Sequence, residues 1–207
     1  MSRYFSPRIQ KRFVILMFVL TVVMFSIWTG VSWYQGATPG DFEVRQGDIM
    51  LSDGAYWEAI EKFDQALDAQ PDHRGALHGK AAALIMLERY DDAEAVLSYL
   101  IDFLNRTLED DDPTGIGALS AAYTNRGIIR DRQGRHREAY EDYVQSVKID
   151  YEIADGPSWI EHLLYYEHAP SSALKRARYL QEQFELPEQE RVMTLPDVDD
   201  AQRMYKP

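Results

Sequence analysis

Hydrophobic residues recur with the period of an α-helix through most of this chain, and the pattern is clearest between residues 40 and 71. Ile60, Phe63 and Leu67 are three and four positions apart, which places them on one face of a predicted helix over Tyr56–Gln70. Most of the positions between them are polar or small. The segment therefore predicts an amphipathic helix whose apolar face is turned towards a core.

A second helix is predicted directly before this one. Thr38 is expected to cap its N-terminus, with Pro39 at the first helical position, where the missing N–H group costs nothing. Asp53 and Gly54 form a turn signal that is expected to end the helix at about Ser52. So short a connection predicts an antiparallel helical hairpin.

The same order of small and bulky residues returns twice along the chain. In the first hairpin, Gly47 and Ala59 are small enough to let the two helix axes approach closely, and Tyr56 and Phe63 are expected to fill the space around that contact. A shift of 34 residues carries three positions of this hairpin onto similar residues: Tyr56 onto Tyr90, Ala59 onto Ala93 and Phe63 onto Leu97. A third copy has Tyr123, Gly127, Gly134, Ala139 and Tyr143. A fixed period of this kind indicates helical hairpins that bury their apolar sides by stacking.

These residues resemble the tetratricopeptide repeat (TPR) family over roughly residues 40–151. The resemblance implies an all-α fold, a TPR-type helical-hairpin solenoid with three repeats. A degenerate pair of helices at about Ser158–Tyr165 and Ser171–Phe184 is expected to cap it, with Ala173, Ala177 and Leu180 on the inner face of the second helix. We expect the TPR domain to span residues 38–186 and an extended C-terminal tail to span 187–207, because prolines interrupt the tail.

The N-terminal region differs from the rest of the chain because it is almost entirely apolar after a short basic segment. Phe13–Tyr34 is a run of 22 residues without a charge, and at about 1.5 Å per residue it matches the hydrocarbon thickness of a bilayer. Four basic residues precede it, so the positive-inside rule predicts a cytoplasmic N-terminus over residues 1–12 and a signal-anchor helix over 13–34. Residues 35–37 would be a short linker. A cleaved signal peptide and a buried core helix are the alternatives.

Charge and composition exclude several classes of function. Beyond residue 40 the chain has 18 basic and 34 acidic residues, because 4 of the 22 basic residues lie before it, and this excess of acid argues against nucleic acid as a partner. The chain has no cysteine, which excludes disulfides and thiolate metal sites. We find no phosphate-binding loop, nucleophile elbow or zinc-binding histidine pair, and so expect no enzyme, no cofactor, no metal and no small-molecule substrate.

The third repeat starts about 12 residues later than the 34-residue period predicts, and we expect the insertion to lie in a loop. The acidic loop 109–115 has some of the spacing of a calcium loop but lacks its final glutamate, so a solvated loop is the favoured interpretation. Among the histidines, His136 is expected to pack between helices and His78 to lie on the surface. Lys175, Arg176 and Arg178 are expected to form a solvated basic face, with docking of an acidic partner as the alternative.

The resemblance also implies where a partner would bind, because the first helix of each TPR repeat lines a concave surface. The corresponding residues are Arg45, Asp48 and Leu51 in the first repeat, His78, Ala82, Ile85 and Met86 in the second, and Thr124, Asn125, Ile128, Asp131 and Arg132 in the third. Apolar members suit the apolar side of a partner segment, and charged members would fix its register.

We therefore expect a single-pass inner (plasma) membrane protein whose TPR domain lies on the periplasmic, extracytoplasmic side. There it would act as a scaffold or adaptor that binds a protein partner and aids assembly or maturation of a membrane or envelope complex. The alternative is a permanent accessory subunit of a large membrane protein complex. Ser26, Thr29, Gly30 and Ser32 favour this alternative, since small residues on a span promote helix packing in the membrane.

Overall fold

The computed structural model describes residues 7–35, 38–109, 111–150 and 172–195. These residues form eight α-helices, a short 3₁₀-helix and no strand. The helices are α1 (Pro7–Gln35), α2 (Asp41–Ser52), α3 (Tyr56–Ala69), α4 (Arg74–Met86), α5 (Tyr90–Thr107), α6 (Pro113–Arg132), α7 (His136–Ile149) and α8 (Ala173–Glu185), and the 3₁₀-helix is Glu188–Glu190.

Helix α1 contains the apolar run. Its segment Gln10–Val31 is long and apolar enough to cross a membrane, and none of that segment is buried against the rest of the chain. A core helix of a soluble protein would be mostly buried, so the structure gives no support to that alternative. Length and composition fit a membrane anchor and a signal sequence alike.

Helices α2 to α7 form three consecutive hairpins. Each helix packs against the next in chain order, and α2 also packs on α4 and α4 on α6, so the hairpins stack side by side. In the first hairpin, the predicted helix end at Ser52 and the predicted helix over Tyr56–Gln70 agree with α2 and α3 to within one residue. The all-helical, stacked-hairpin architecture predicted from the sequence is therefore confirmed.

Two aromatic rings occupy the close contacts that the glycine positions make possible. A Cβ atom added to Gly47 would lie 2.6 Å from the ring of Phe63, and one added to Gly79 would lie 2.3 Å from the same ring. One ring thus fills the space between α2, α3 and α4. In the third repeat, a Cβ on Gly127 would lie 2.7 Å from the Tyr143 ring. The small-to-large contact predicted from the repeat is present in the first and third hairpins.

Two details of the prediction are wrong. Thr38 does not cap α2: the helix begins at Asp41 with Gly40 as its N-cap, and the Asp41 side chain accepts a hydrogen bond of 2.8 Å from the Thr38 backbone N–H. The residues inserted before the third repeat do not form a long loop either. They lengthen the helices on both sides, giving 18 residues in α5 against 14 in α3 and 20 residues in α6 against 13 in α4.

Helix α8 covers the end of the stack beside α7. Ser172 caps it by accepting a hydrogen bond from the Lys175 N–H, and its predicted inner residues Ala173, Ala177 and Leu180 are buried. They form a second apolar cluster with Ile128 and Tyr143, next to the larger core of the first hairpins. The first helix of the predicted capping pair falls in residues 151–171, outside the described residues.

Candidate partner-binding surface

The surface predicted from the repeat is largely closed at its centre, on α4. His78, Ala82 and Ile85 are buried, with Ile85 only 1% exposed. The His78 Nε2 atom donates a hydrogen bond of 2.9 Å to the Ala118 carbonyl oxygen, which joins α4 to α6. These three residues therefore belong to the packing between helices, and the expectation of a surface-exposed His78 is wrong.

The environment of His78 has an electrostatic consequence. Within the described part of the chain its Nδ1 atom has no hydrogen-bond partner and is inaccessible to water. Burial lowers the pKa of His78 to about 4, although the bond to Ala118 opposes the shift. The imidazole is therefore neutral at pH 7, and any proton added to it must be accommodated inside the helix stack.

Most of the predicted residues on α6 are also buried, each for a local reason. The Thr124 hydroxyl lies 2.7 Å from the Ser146 hydroxyl of α7, so it faces the hairpin interior. Ile128 is fully buried in the cluster beneath α8, and Asn125 is 1% exposed. Asp131 accepts hydrogen bonds of 2.6 and 2.9 Å from Arg176 of α8. These residues hold α7 and α8 in place.

Five of the predicted residues remain accessible. Arg45, Met86 and Arg132 are exposed, and Asp48 and Leu51 are half-buried. Met86 and Arg132 occupy equivalent repeat positions at the C-terminal ends of α4 and α6, and Leu51 lies near the corresponding end of α2. The accessible part of the predicted surface is thus a strip along one end of the first helices of the three hairpins.

A network of ion pairs connects α5, α6 and α7. Arg130 donates to Glu94 and to Asp142, each at 2.9 Å, and Arg126 makes a bidentate contact with Asp142 at 2.7 and 2.9 Å. Arg135 extends the network by donating to Glu94 at 2.5 and 3.1 Å. Sequence analysis missed it, because charges spaced along separate helices do not reveal that they meet.

The pKa values of two carboxylates of this network, Asp142 and Glu94, are shifted in opposite directions. Burial raises the pKa of Asp142 even though Arg126 and Arg130 stabilise its charged form. For Glu94, burial is outweighed by the hydrogen bonds from Arg135 and Arg130, which lower its pKa. The network is a packing device between helices, since its central side chains are mostly inaccessible to a partner.

The acidic loop 109–115 has a structural role at Asp112, the residue directly before α6. Asp112 caps α6 by accepting a hydrogen bond of 2.8 Å from the Gly115 N–H, and its other oxygen pairs with Arg74 at 2.5 Å. Both contacts lower its pKa, the Arg74 contact more strongly. No group of three or more potential metal ligands occurs among residues 7–35, 38–109, 111–150 and 172–195.

The basic helix α8 is only partly a solvated face. Lys175 and Arg178 are exposed, as predicted, whereas Arg176 is 2% exposed and paired with Asp131. Arg176 also donates to the Met193 carbonyl oxygen at 2.9 Å. The Tyr179 hydroxyl donates to the Val192 carbonyl oxygen at 2.6 Å. The start of the tail therefore lies along α8, while residues 196–207 fall outside the described part.

Comparison with known proteins identifies the architecture. The family profile described as tetratricopeptide repeat matches residues 50–103, from the end of α2 through most of α5. A solved structure, the first TPR of Spaghetti (RPAP3) bound to HSP90 peptide SRMEEVD, aligns with a TM-score of 0.51 at 18% sequence identity. The alignment covers 72% of this chain and 94% of that one.

The helical domain is TPR-like. TPR domains bind protein partners and generally act as non-enzymatic scaffolds, so the fold suggests a protein-interaction adaptor. The sequence identity to the RPAP3 domain is too low to carry its peptide specificity to this chain. No curated protein matches the sequence.

Proposed function

We propose that this protein is a membrane-anchored adaptor. Helix α1 would cross the membrane with its basic end in the cytoplasm, and the TPR-like domain would hold a protein partner on the extracytoplasmic side. The observation that carries the proposal is an apolar helix, long enough to span a bilayer and unburied by the rest of the chain, that directly precedes a domain of the protein-binding TPR fold.

The partner would contact the accessible strip formed by Asp48, Leu51, Met86 and Arg132, with Arg45 at its edge. Leu51 and Met86 offer apolar area, and the charged residues around them would set the register of the bound segment. Because residues 41–207 have 34 acidic and 18 basic residues, an excess of 16, a partner segment that is apolar or basic fits the domain better than an acidic peptide.

Anchoring in a membrane would allow the accessible strip to function even if it binds its partner weakly. A domain held at the membrane meets other membrane and envelope proteins at a high effective concentration, so weak contacts can be occupied. This favours a role in assembly or maturation of a membrane or envelope complex, in which partners bind and leave.

A permanent accessory subunit is the alternative, in which α1 packs against other membrane helices. Its small polar residues support this weakly, because the Ser26 and Thr29 hydroxyls already donate to carbonyl oxygens of α1 itself, at 2.8 Å. They therefore have no need of a partner helix.

The experiment is purification of the full-length protein in mild detergent after crosslinking, with and without Met86→Asp. Met86 is 47% exposed, so the substitution changes the surface and spares the core. Leu186→Asp is the matched control, because Leu186 is 38% exposed, lies just beyond α8 and is not one of the strip residues.

Loss of crosslinked partners with Met86→Asp, but not with Leu186→Asp, supports the proposed surface. Unchanged capture by both variants contradicts it. Several substoichiometric partners would support the adaptor, and one stoichiometric, salt-resistant set of companions would favour the accessory subunit.

A further inference from the structure

The outer face of α2 carries two large apolar side chains that nothing in the described structure covers. Phe42 is 65% exposed and Ile49 is 61% exposed. They are seven residues apart and lie on one face of the helix, with Arg45 and Gln46 between them. The opposite face buries Val44 and Gly47 against the core. No other described helix of the TPR-like domain has more than one exposed large apolar residue.

The covalent connection to α1 limits where this face can be. Helix α1 ends at Gln35, and a turn begins at Thr38, closed by the Asp41 N–H donating to the Thr38 carbonyl oxygen at 3.0 Å. Three peptide steps separate Gln35 from Thr38, so their Cα atoms are at most about 11 Å apart. If α1 spans the bilayer, as in the proposed function on which this inference rests, the start of α2 must lie close to the lipid headgroups.

The charge of the domain selects which face can approach the lipids. Residues 41–207 have 34 acidic and 18 basic residues, so an anionic membrane surface repels most of the domain. The stripe of Phe42, Arg45, Gln46 and Ile49 contains a cation and no carboxylate. Apolar side chains flanked by a basic residue are the composition that binds at a lipid–water interface.

We propose that Phe42, Arg45 and Ile49 form a second membrane contact, which seats the TPR-like domain on the bilayer surface. Phe42 and Ile49 enter the headgroup region, and the Arg45 guanidinium binds lipid phosphate. The contact fixes the orientation of α2, so the accessible strip of Asp48, Leu51, Met86 and Arg132 is presented in a constant direction to proteins in the same membrane. Arg45 lies at the boundary between the lipid-facing stripe and that strip.

The absence of cysteine allows a direct test on the full-length protein. Single cysteines are introduced at Ile49, at Ala95 on the exposed side of α5 and at Val23 in α1, and each is labelled with the environment-sensitive fluorophore NBD. The proteins are reconstituted in phosphatidylcholine–phosphatidylglycerol vesicles, with or without lipids that carry a nitroxide quencher near the headgroup or deep in the chain.

The expected result is a blue-shifted emission at Ile49→Cys that is quenched by the headgroup nitroxide, with no quenching at Ala95→Cys. Equal, unquenched emission at positions 49 and 95 would overturn the proposal. So would a blue shift at position 49 that resists lipid quenching and disappears on dilution with unlabelled lipid, because a second copy of the chain would then cover the face.

Val23→Cys separates this inference from the proposed function. Quenching at position 23 by the deep nitroxide, without quenching at position 49, overturns the surface contact and leaves the anchor in place. Absence of quenching at position 23 overturns the anchor, and the surface contact with it.

Discussion

The turn inside each hairpin places one residue in the left-handed backbone region. In the first and third hairpins this residue is glycine, Gly54 with φ 78° and Gly134 with φ 76°. In the second hairpin the equivalent residue is Glu88, with φ 57°. A side chain in this conformation costs about 1 kcal/mol, which glycine avoids. The second hairpin therefore contains a strained residue that the other two lack.

Replacing Glu88 by glycine is expected to stabilise the protein by about 0.5–1 kcal/mol, because the native turn is kept and the strain is removed. Ala95→Gly, at an exposed position inside α5, is the matched control and is expected to destabilise by about 1 kcal/mol, since glycine is a much poorer helix former than alanine. Thermal unfolding of the detergent-solubilised protein, followed by circular dichroism, measures both. A lower melting temperature for Glu88→Gly would contradict the account of the turn.

The buried His78 predicts a loss of stability in acid. The unfolded chain binds a proton at His78 below about pH 6.5, whereas the folded protein does so only below about pH 4. The unfolding free energy contributed by this residue therefore falls as the pH decreases between these two values, by about 3 kcal/mol in total.

His78→Gln removes the titrating group and keeps a donor for the Ala118 carbonyl. The difference in unfolding free energy between the wild type and this variant should shrink or reverse as the pH is lowered from 7 to 4.5. The titration of carboxylates contributes equally to both proteins and therefore cancels in this difference. A difference that is independent of pH would show that His78 is not buried in the neutral form.

Single residues also show where sequence analysis succeeds and where it fails. Gly47, Ala59 and Phe63 are predicted correctly as a packing contact, because residue size and spacing along a repeat determine which side chains meet. The prediction of a surface position for His78 is wrong. Its burial depends on the bond to Ala118, 40 positions away in another repeat, and no local pattern encodes that contact.

At the scale of helices, the ion-pair network joins α5, α6 and α7 more specifically than apolar packing alone. Arg130→Met removes the contacts to Glu94 and Asp142 while keeping an apolar stem, and it leaves carboxylates with too few partners in a buried position. We expect destabilisation of about 3 kcal/mol, measured by thermal unfolding.

Arg106→Met is the control for this substitution. Arg106 pairs with Asp102 four residues earlier on the exposed side of α5, so its loss is expected to cost less than about 1 kcal/mol. Similar losses of stability for both variants would show that the network contributes no more than a surface ion pair.

Helix positions follow from the sequence well, but helix lengths and ends do not. The period of 34 residues determines which segments pair, and α2 to α5 follow it. The insertion of about 12 residues is expected in a loop, yet α5 is four residues longer than α3 and α6 is seven residues longer than α4, so most of the insertion is helical. Likewise, Thr38 and Pro39 are typical residues for a helix start, but Gly40 in the left-handed conformation begins the helix two residues later.

The partner surface illustrates the limit of a repeat alignment. The alignment identifies positions on the first helix of each hairpin without showing what packs over them. The α4–α6 contact and the packing of α7 and α8 bury Ile85, Ile128 and Asp131, so only an accessible strip remains. The repeat alignment does not identify Phe42 and Ile49. An alignment selects positions at which the copies have similar residues, whereas Phe42 and Ile49 are notable because they are exposed on α2 of the first hairpin.

At the scale of the whole molecule, the chain combines an apolar helix that lies outside the core with an acidic stack of helical hairpins. Because the connection between them is short, a membrane crossed by α1, as we propose, would determine the position of the TPR-like domain. The central claim is therefore that α1 spans the membrane and exposes the domain on the extracytoplasmic side.

Protease protection in sealed, right-side-out membrane vesicles tests this claim most directly. We predict that the protein sediments with the vesicles, that added protease degrades the TPR-like domain, and that a membrane-embedded fragment containing α1 survives. A domain that stays intact until detergent opens the vesicles, or a protein that is absent from the membrane fraction, would contradict the account.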